Sequence, residues 1–151
     1  MLTVILEGRP LFMQTPTQIL GLVATIIVCG LVLWRGPEKA KQASIGAAIA
    51  FLATPMVQNW RDWTKPQWGI FAVDLVFLLF LAALASTGRS WWLRVMMAAQ
   101  LLTVLSHITM AVNREVLARA YATTTYLLWC VVLLALAASL LSQARPSPLH
   151  R

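Results

Sequence analysis

Two side chains in this 151-residue sequence could do acid–base work in a setting where such groups are rare. Asp74 is the one ionisable residue in the apolar run 67-86, and His107 is the one histidine in the run 91-112. An ionised carboxylate in hydrocarbon costs roughly 3 kcal/mol even on the mildest scales, so it must be neutralised, paired or hydrated. Asp74 lies seven residues in from Gln67, and His107 lies five residues before Val112. At about 1.5 Å of rise per residue, that is roughly 10 Å and roughly 7 to 8 Å below the same face. Helices joined by a short loop are antiparallel neighbours, so the two side chains are expected to meet. Such a pair could accept a proton or bind an ion. The plain alternative, a structural hydrogen bond that fixes two helices, weighs more heavily, because one pair without further ionisable groups makes a poor relay.

Other polar residues fall near that depth. Gln100, Thr103 and His107 share one helical face at i, i+3 and i+7; Tyr121 and Thr125 repeat at i+4, with Thr123, Thr124 and Tyr126 beside them. Thr54, Gln58 and Asn59 close the same end of a further run. The cluster could line a vestibule, or it could be interhelical glue worth roughly 1 kcal/mol per bond. Two ladders of small residues, Gly21, Thr25 and Cys29, and Gly46, Ala50 and Thr54, suit close packing of the first two helices as a hairpin. A ladder turned outward would instead dock a partner.

The elements that must hold these residues follow from composition. The chain is 60% hydrophobic and 11% charged, whereas a soluble domain needs charge on about a quarter of its residues. Five runs are long and apolar enough to cross a bilayer, which predicts an all-α integral membrane bundle of about five transmembrane helices with short loops. The expected spans are 16-34, 42-60, 67-86, 91-112 and 117-142, forming one bundle over 16-144, with tails at 1-15 and 145-151. Pro55 should kink or shorten the second span. Residues 1-15 do not read as a signal peptide, since Glu7 and Arg9 follow an apolar start. Lys and Arg counts of seven against five favour the N-terminus outside and the C-terminus cytoplasmic. Trp34, Trp91 and Trp92 should mark one interface, Trp60, Trp63 and Trp68 the other, with Trp129 interior. The net charge of +7 then serves topology and contact with anionic lipid, with no basic stripe for nucleic acid.

Standard chemical signatures do not occur: the sequence holds no HExxH, Walker loop, GxSxG or CxxC. Haem held by two histidines would need a second one in the membrane, and His150 is at the C-terminal tip. Cys29 and Cys130 sit inside apolar runs, unsuited to a disulfide framework. No metal and no cofactor are expected, although a lipid or quinone could sit beside Tyr121 or Trp129.

The loop Trp34-Arg35-Gly36, the stretch Pro66-Gln67-Trp68-Gly69 leading to Val73-Asp74-Leu75, Gln100-Leu101-Leu102 with Leu105-Ser106-His107, and Ala120-Tyr121-Ala122 together resemble a family of short multi-pass membrane proteins of alphaproteobacteria with no known activity. The resemblance implies the bacterial inner membrane and carries over no function. Three readings follow. The first is a non-enzymatic accessory or scaffold subunit, docking on a larger membrane complex or on copies of itself. The second is an oligomeric conductor or carrier of protons or a small solute, built on Asp74 and His107. The third is a membrane enzyme acting with a lipid or quinone.

Overall fold

A computed structural model describes residues 16–58, 66–112 and 118–142. These form five helices and, among the described residues, no strand: α1 (Pro16–Arg35), α2 (Glu38–Val57), α3 (Trp68–Ser86), α4 (Trp91–Val112) and α5 (Ala118–Leu141). Each is long and apolar enough to cross a membrane. At about 1.5 Å per residue they match a hydrocarbon core of roughly 30 Å. The chain is thus a multi-pass helical membrane protein.

Local chemistry sets the ends. Pro16 opens α1 at a position where its missing N–H is no loss. Gly36 donates its N–H to the Val32 carbonyl at 2.7 Å, and Pro37 then prevents α1 from continuing. Pro37 is also the N-cap of α2, its carbonyl accepting the Ala40 and Lys41 N–H groups, and Glu38 sits favourably in the first turn. Hence α2 begins at Glu38, four residues before the span expected at 42. The charges of Glu38, Lys39 and Lys41 resemble a loop in hydropathy, yet they belong to a helix end. Pro55 lies within the last turn of α2, which keeps 20 residues and is not a short span.

Each helix packs on its neighbours in sequence, and α5 closes against α1, giving a ring of five. The interior is densest at the end where α1 and α3 finish and α2 and α4 start, around Val32, Ala40, Ala43, Ala47, Leu81, Leu93, Met96 and Leu136. We call this the basic end, for Arg35, Lys39, Lys41, Arg89 and Arg94. There the Lys39 Nζ donates to the Thr87 carbonyl at 2.6 Å, tying α2 to α3. Leu20, Ile26, Ile49, Val76, Leu79, Leu127 and Leu134 face outward, as helices in lipid require. Trp34, Trp91 and Trp68 are exposed near helix ends, but Trp92, grouped with them in the belt, is 3% exposed and belongs to the core. Consecutive residues on a helix point about 100° apart, and here that step turns Trp92 into the bundle while Trp91 stays exposed. Trp60, Trp63, Asn59 and both tails lie outside the described residues.

The first small-residue ladder faces inward. Gly21 lies against the Phe51 ring, Cys29 and Ser44 exchange side-chain contacts with each other's carbonyls, and Thr25 meets α5. The second divides its work. Gly46 abuts Phe80 of α3, where an added Cβ would fall 2.5 Å from the ring, while Ala50 and Thr54 line a cavity. The hairpin of α1 and α2 therefore uses the first ladder, and Gly46 serves α2 and α3 instead.

A polar chain on the wall of an apolar cavity

The site is built at the end opposite the basic one. Asp74, in the second turn of α3, presents both carboxylate oxygens to α4. The Gln100 Nε2 donates to Oδ1 at 2.7 Å and also to the Asp74 backbone carbonyl at 3.2 Å. The His107 Nε2 lies 2.8 Å from Oδ2, with the two side chains only 4% and 14% exposed. On its other side the His107 Nδ1 lies 2.7 Å from the Tyr121 hydroxyl of α5. Three helices are thus joined by an unbroken chain running Gln100, Asp74, His107, Tyr121. The Phe71 ring meets the imidazole edge-on, with centroids 6.1 Å apart, which limits its rotation.

Close approach of α2 and α3 shapes this end. A Cβ on Gly69 would fall 2.5 Å from the Val57 carbonyl oxygen, so only glycine lets the start of α3 pass the end of α2 at this distance. The passage sets Ile70 and Asp74 beside Thr54 and Gln58 on one half-enclosed cavity of about 190 Å³. Phe51, Tyr126 and Trp129 form its aromatic side. Trp129 is held by its indole N–H, which donates to the Thr25 hydroxyl oxygen at 3.1 Å, and its ring lies 5.6 Å from that of Phe51.

The polar groups around the cavity have specific hydrogen-bonding capacities left over. Thr54, Thr103 and Thr125 give their hydroxyl hydrogens to the carbonyls of Ala50, Ala99 and Ala122, at 2.9, 3.1 and 2.9 Å. Their oxygens keep lone pairs, so these hydroxyls act as acceptors. Among the described residues the Gln58 Nε2 is buried and has no hydrogen-bond partner. Buried donors are nearly always satisfied, so an unpaired amide on a cavity wall has a hydrogen to give to an acceptor in the cavity, whether water or a larger molecule. A second cavity, of about 170 Å³, lies on the far side of His107, between the Pro66 to Phe71 segment and the last turn of α4.

Of the residues singled out from sequence, Asp74, His107, Gln100, Thr103, Tyr121, Thr125, Thr54 and Gln58 gather at this end. Thr123 and Thr124 are exposed and face away, because α5 turns only one side to the bundle. The direct bond of Tyr121 to His107, and the double donation from Gln100 to Asp74, were not foreseen. Residue type offered a hint, since a buried tyrosine hydroxyl needs a partner.

Fold and site together define a polytopic helical membrane protein with a hydrogen-bonded acid–base chain bordering a half-enclosed cavity. No family model, curated protein or solved structure matches the chain, so the resemblance to the alphaproteobacterial group gains no support from these comparisons.

Proposed function

We propose that the chain is a binding protein of the bacterial inner membrane, oriented with its N-terminus outside, that takes a small neutral amphipathic molecule into the cavity. The molecule's polar head rests against Tyr121, backed by His107 and Asp74, and its apolar part lies along Phe51, Tyr126 and Trp129. The observation that carries this reading is the unpaired Gln58 amide on a cavity whose opposite resource is the buried acid–base chain. A clamp between α3 and α4 would need only Asp74 with Gln100 or His107. Extending it to a phenol beside a ring-sized space supports a ligand role, since a cavity of about 150 Å³ already accepts benzene. Among the described residues the lining includes Asp74 and no lysine or arginine, which disfavours anions.

The small-residue ladders behind a docking role face neighbours in the same chain or the cavity, so the scaffold reading rests on size and composition alone. The test is native mass spectrometry of the full chain released from nanodiscs. A small-molecule adduct is expected on the wild type, retained by the outward-facing Leu127→Trp and lost from the cavity-filling Ala122→Trp. An adduct absent from the wild type, or equally present in Ala122→Trp, would contradict the proposal.

A further inference from the structure

The hydrogen bonds around His107 permit two proton counts, and they turn the cavity wall in opposite senses. With one proton on the Asp74 and His107 pair, the His107 Nε2–H donates to the ionised carboxylate and Nδ1 accepts the Tyr121 O–H. The phenol oxygen then offers only lone pairs, like the oxygens of Thr54, Thr103 and Thr125. With a second proton on the pair, Nδ1–H must donate to the phenol oxygen, and the Tyr121 hydroxyl hydrogen is released to donate elsewhere. The wall therefore changes from acceptor to donor when one proton arrives, while the Gln58 amide remains a donor in both states.

We infer that the occupant is the head ring of a membrane quinol or quinone, and that the proton count on Asp74 and His107 decides which of the two binds. This inference rests on the cavity reading above and adds the ligand's class. A quinol and a quinone share one planar ring with two oxygens, differing in that the quinol's oxygens donate and the quinone's only accept. The ring fits a cavity of about 190 Å³ with an aromatic side, and an apolar tail leaves through its open side. The Gln58 amide donates to one ring oxygen of either form. Tyr121 meets the other: as acceptor for a quinol O–H in the state with fewer protons, as donor to a quinone carbonyl in the state with more. No electron moves in this scheme; it describes recognition.

The switch has few competing titratable groups among the described residues. On α3 only Asp74 faces it, and on α4 only His107. The α5 helix brings Tyr121, with Tyr126 on the same cavity, and carries Arg119 in its first turn. From α1 and α2 none reaches that end, since Arg35, Glu38, Lys39 and Lys41, like Arg89 and Arg94, lie at the basic end, Cys29 bonds to Ser44, and Cys130 faces outward.

The experiment measures equilibrium binding of decylubiquinone and of decylubiquinol to the full chain in nanodiscs, across the widest pH range the nanodiscs tolerate, with the neutral alcohol dodecanol as a third probe. The ratio of quinol to quinone affinity is expected to rise with pH, by about tenfold, the worth of one hydrogen bond exchanged for a mismatch. Tyr121→Phe should flatten that ratio while both forms still bind, and Gln58→Leu should weaken both forms alike, by a similar factor. A ratio independent of pH in the wild type overturns the inference. So does dodecanol binding without either quinone form, which would leave the cavity reading intact. An empty cavity by native mass spectrometry, with no probe bound, would overturn both.

Discussion

At the basic end the helices meet through Ala40, Ala43 and Ala47, all fully buried, with Leu81, Leu93, Met96 and Leu136 filling the space between them. At the opposite end the same five helices stand around a cavity, and what joins them is a line of hydrogen bonds from Gln100 through Asp74 and His107 to Tyr121. The first arrangement uses dispersion and close approach, the main sources of cohesion in lipid, where no hydrophobic drive separates helix from solvent. The second uses groups that are expensive to bury and leaves one amide unpaired. Close packing alone would follow the first pattern at both ends, and the proposed binding role is the reading under which the polar end differs.

Substitutions at the two ends put that difference to the test. The largest effect is expected for Asp74→Ala, which strands the Gln100 amide and the His107 Nε2. Breaking a buried pair costs about 3 to 5 kcal/mol, so thermal unfolding in mild detergent should shift strongly downward, and Asp74→Asn, which still bonds, should shift it less. Next comes one substitution made at both ends. Ala47→Leu overfills the packed end and should lose about 1 to 3 kcal/mol, whereas Ala122→Leu enters the cavity and should change stability by less than about 0.5 kcal/mol. Equal losses at the two sites would erase the distinction between the ends. Tyr121→Phe removes one interhelical bond, for which about 0.6 kcal/mol is typical in membranes, so stability should barely move while ligand selectivity does. The smallest effects belong to the outward-facing threonines. Thr123→Val and Thr124→Val should leave unfolding unchanged within about 0.5 kcal/mol, and a larger change would mean that α5 is turned differently.

Much of the architecture was legible in the residues. Apolar length fixed the number of helices, and α4 could be bounded at Trp91 and Val112 because Gly88 and Ser90 precede it in a short polar stretch. The start of α2 was not, since Glu38, Lys39 and Lys41 are charged yet helical, and hydropathy cannot separate a loop from a helix end that extends to the interface. At the site, the depths of Asp74 and His107 followed from the constant rise of a helix. Rotation about the helix axis did not follow, because it depends on which neighbours a face meets. That is why Trp92 was expected at the interface and is buried, and why the bond between Tyr121 and His107 came only with the packing of α4 on α5. The unpaired Gln58 amide is likewise a property of the assembled cavity.

The chain contains just two histidines, His107 and His150, which permits a direct spectroscopic test of whether the polar chain serves the cavity. Nitrogen-15 spectra of ring-labelled histidine in the full chain in nanodiscs report the protonation and hydrogen bonding of each imidazole nitrogen. Addition of decylubiquinol is expected to move both His107 ring signals, Nδ1 most, while those of His150 stay where they were. Saturating binding of the quinol with the His107 signals unmoved would contradict the account, leaving Asp74, His107 and Tyr121 as a clamp between helices.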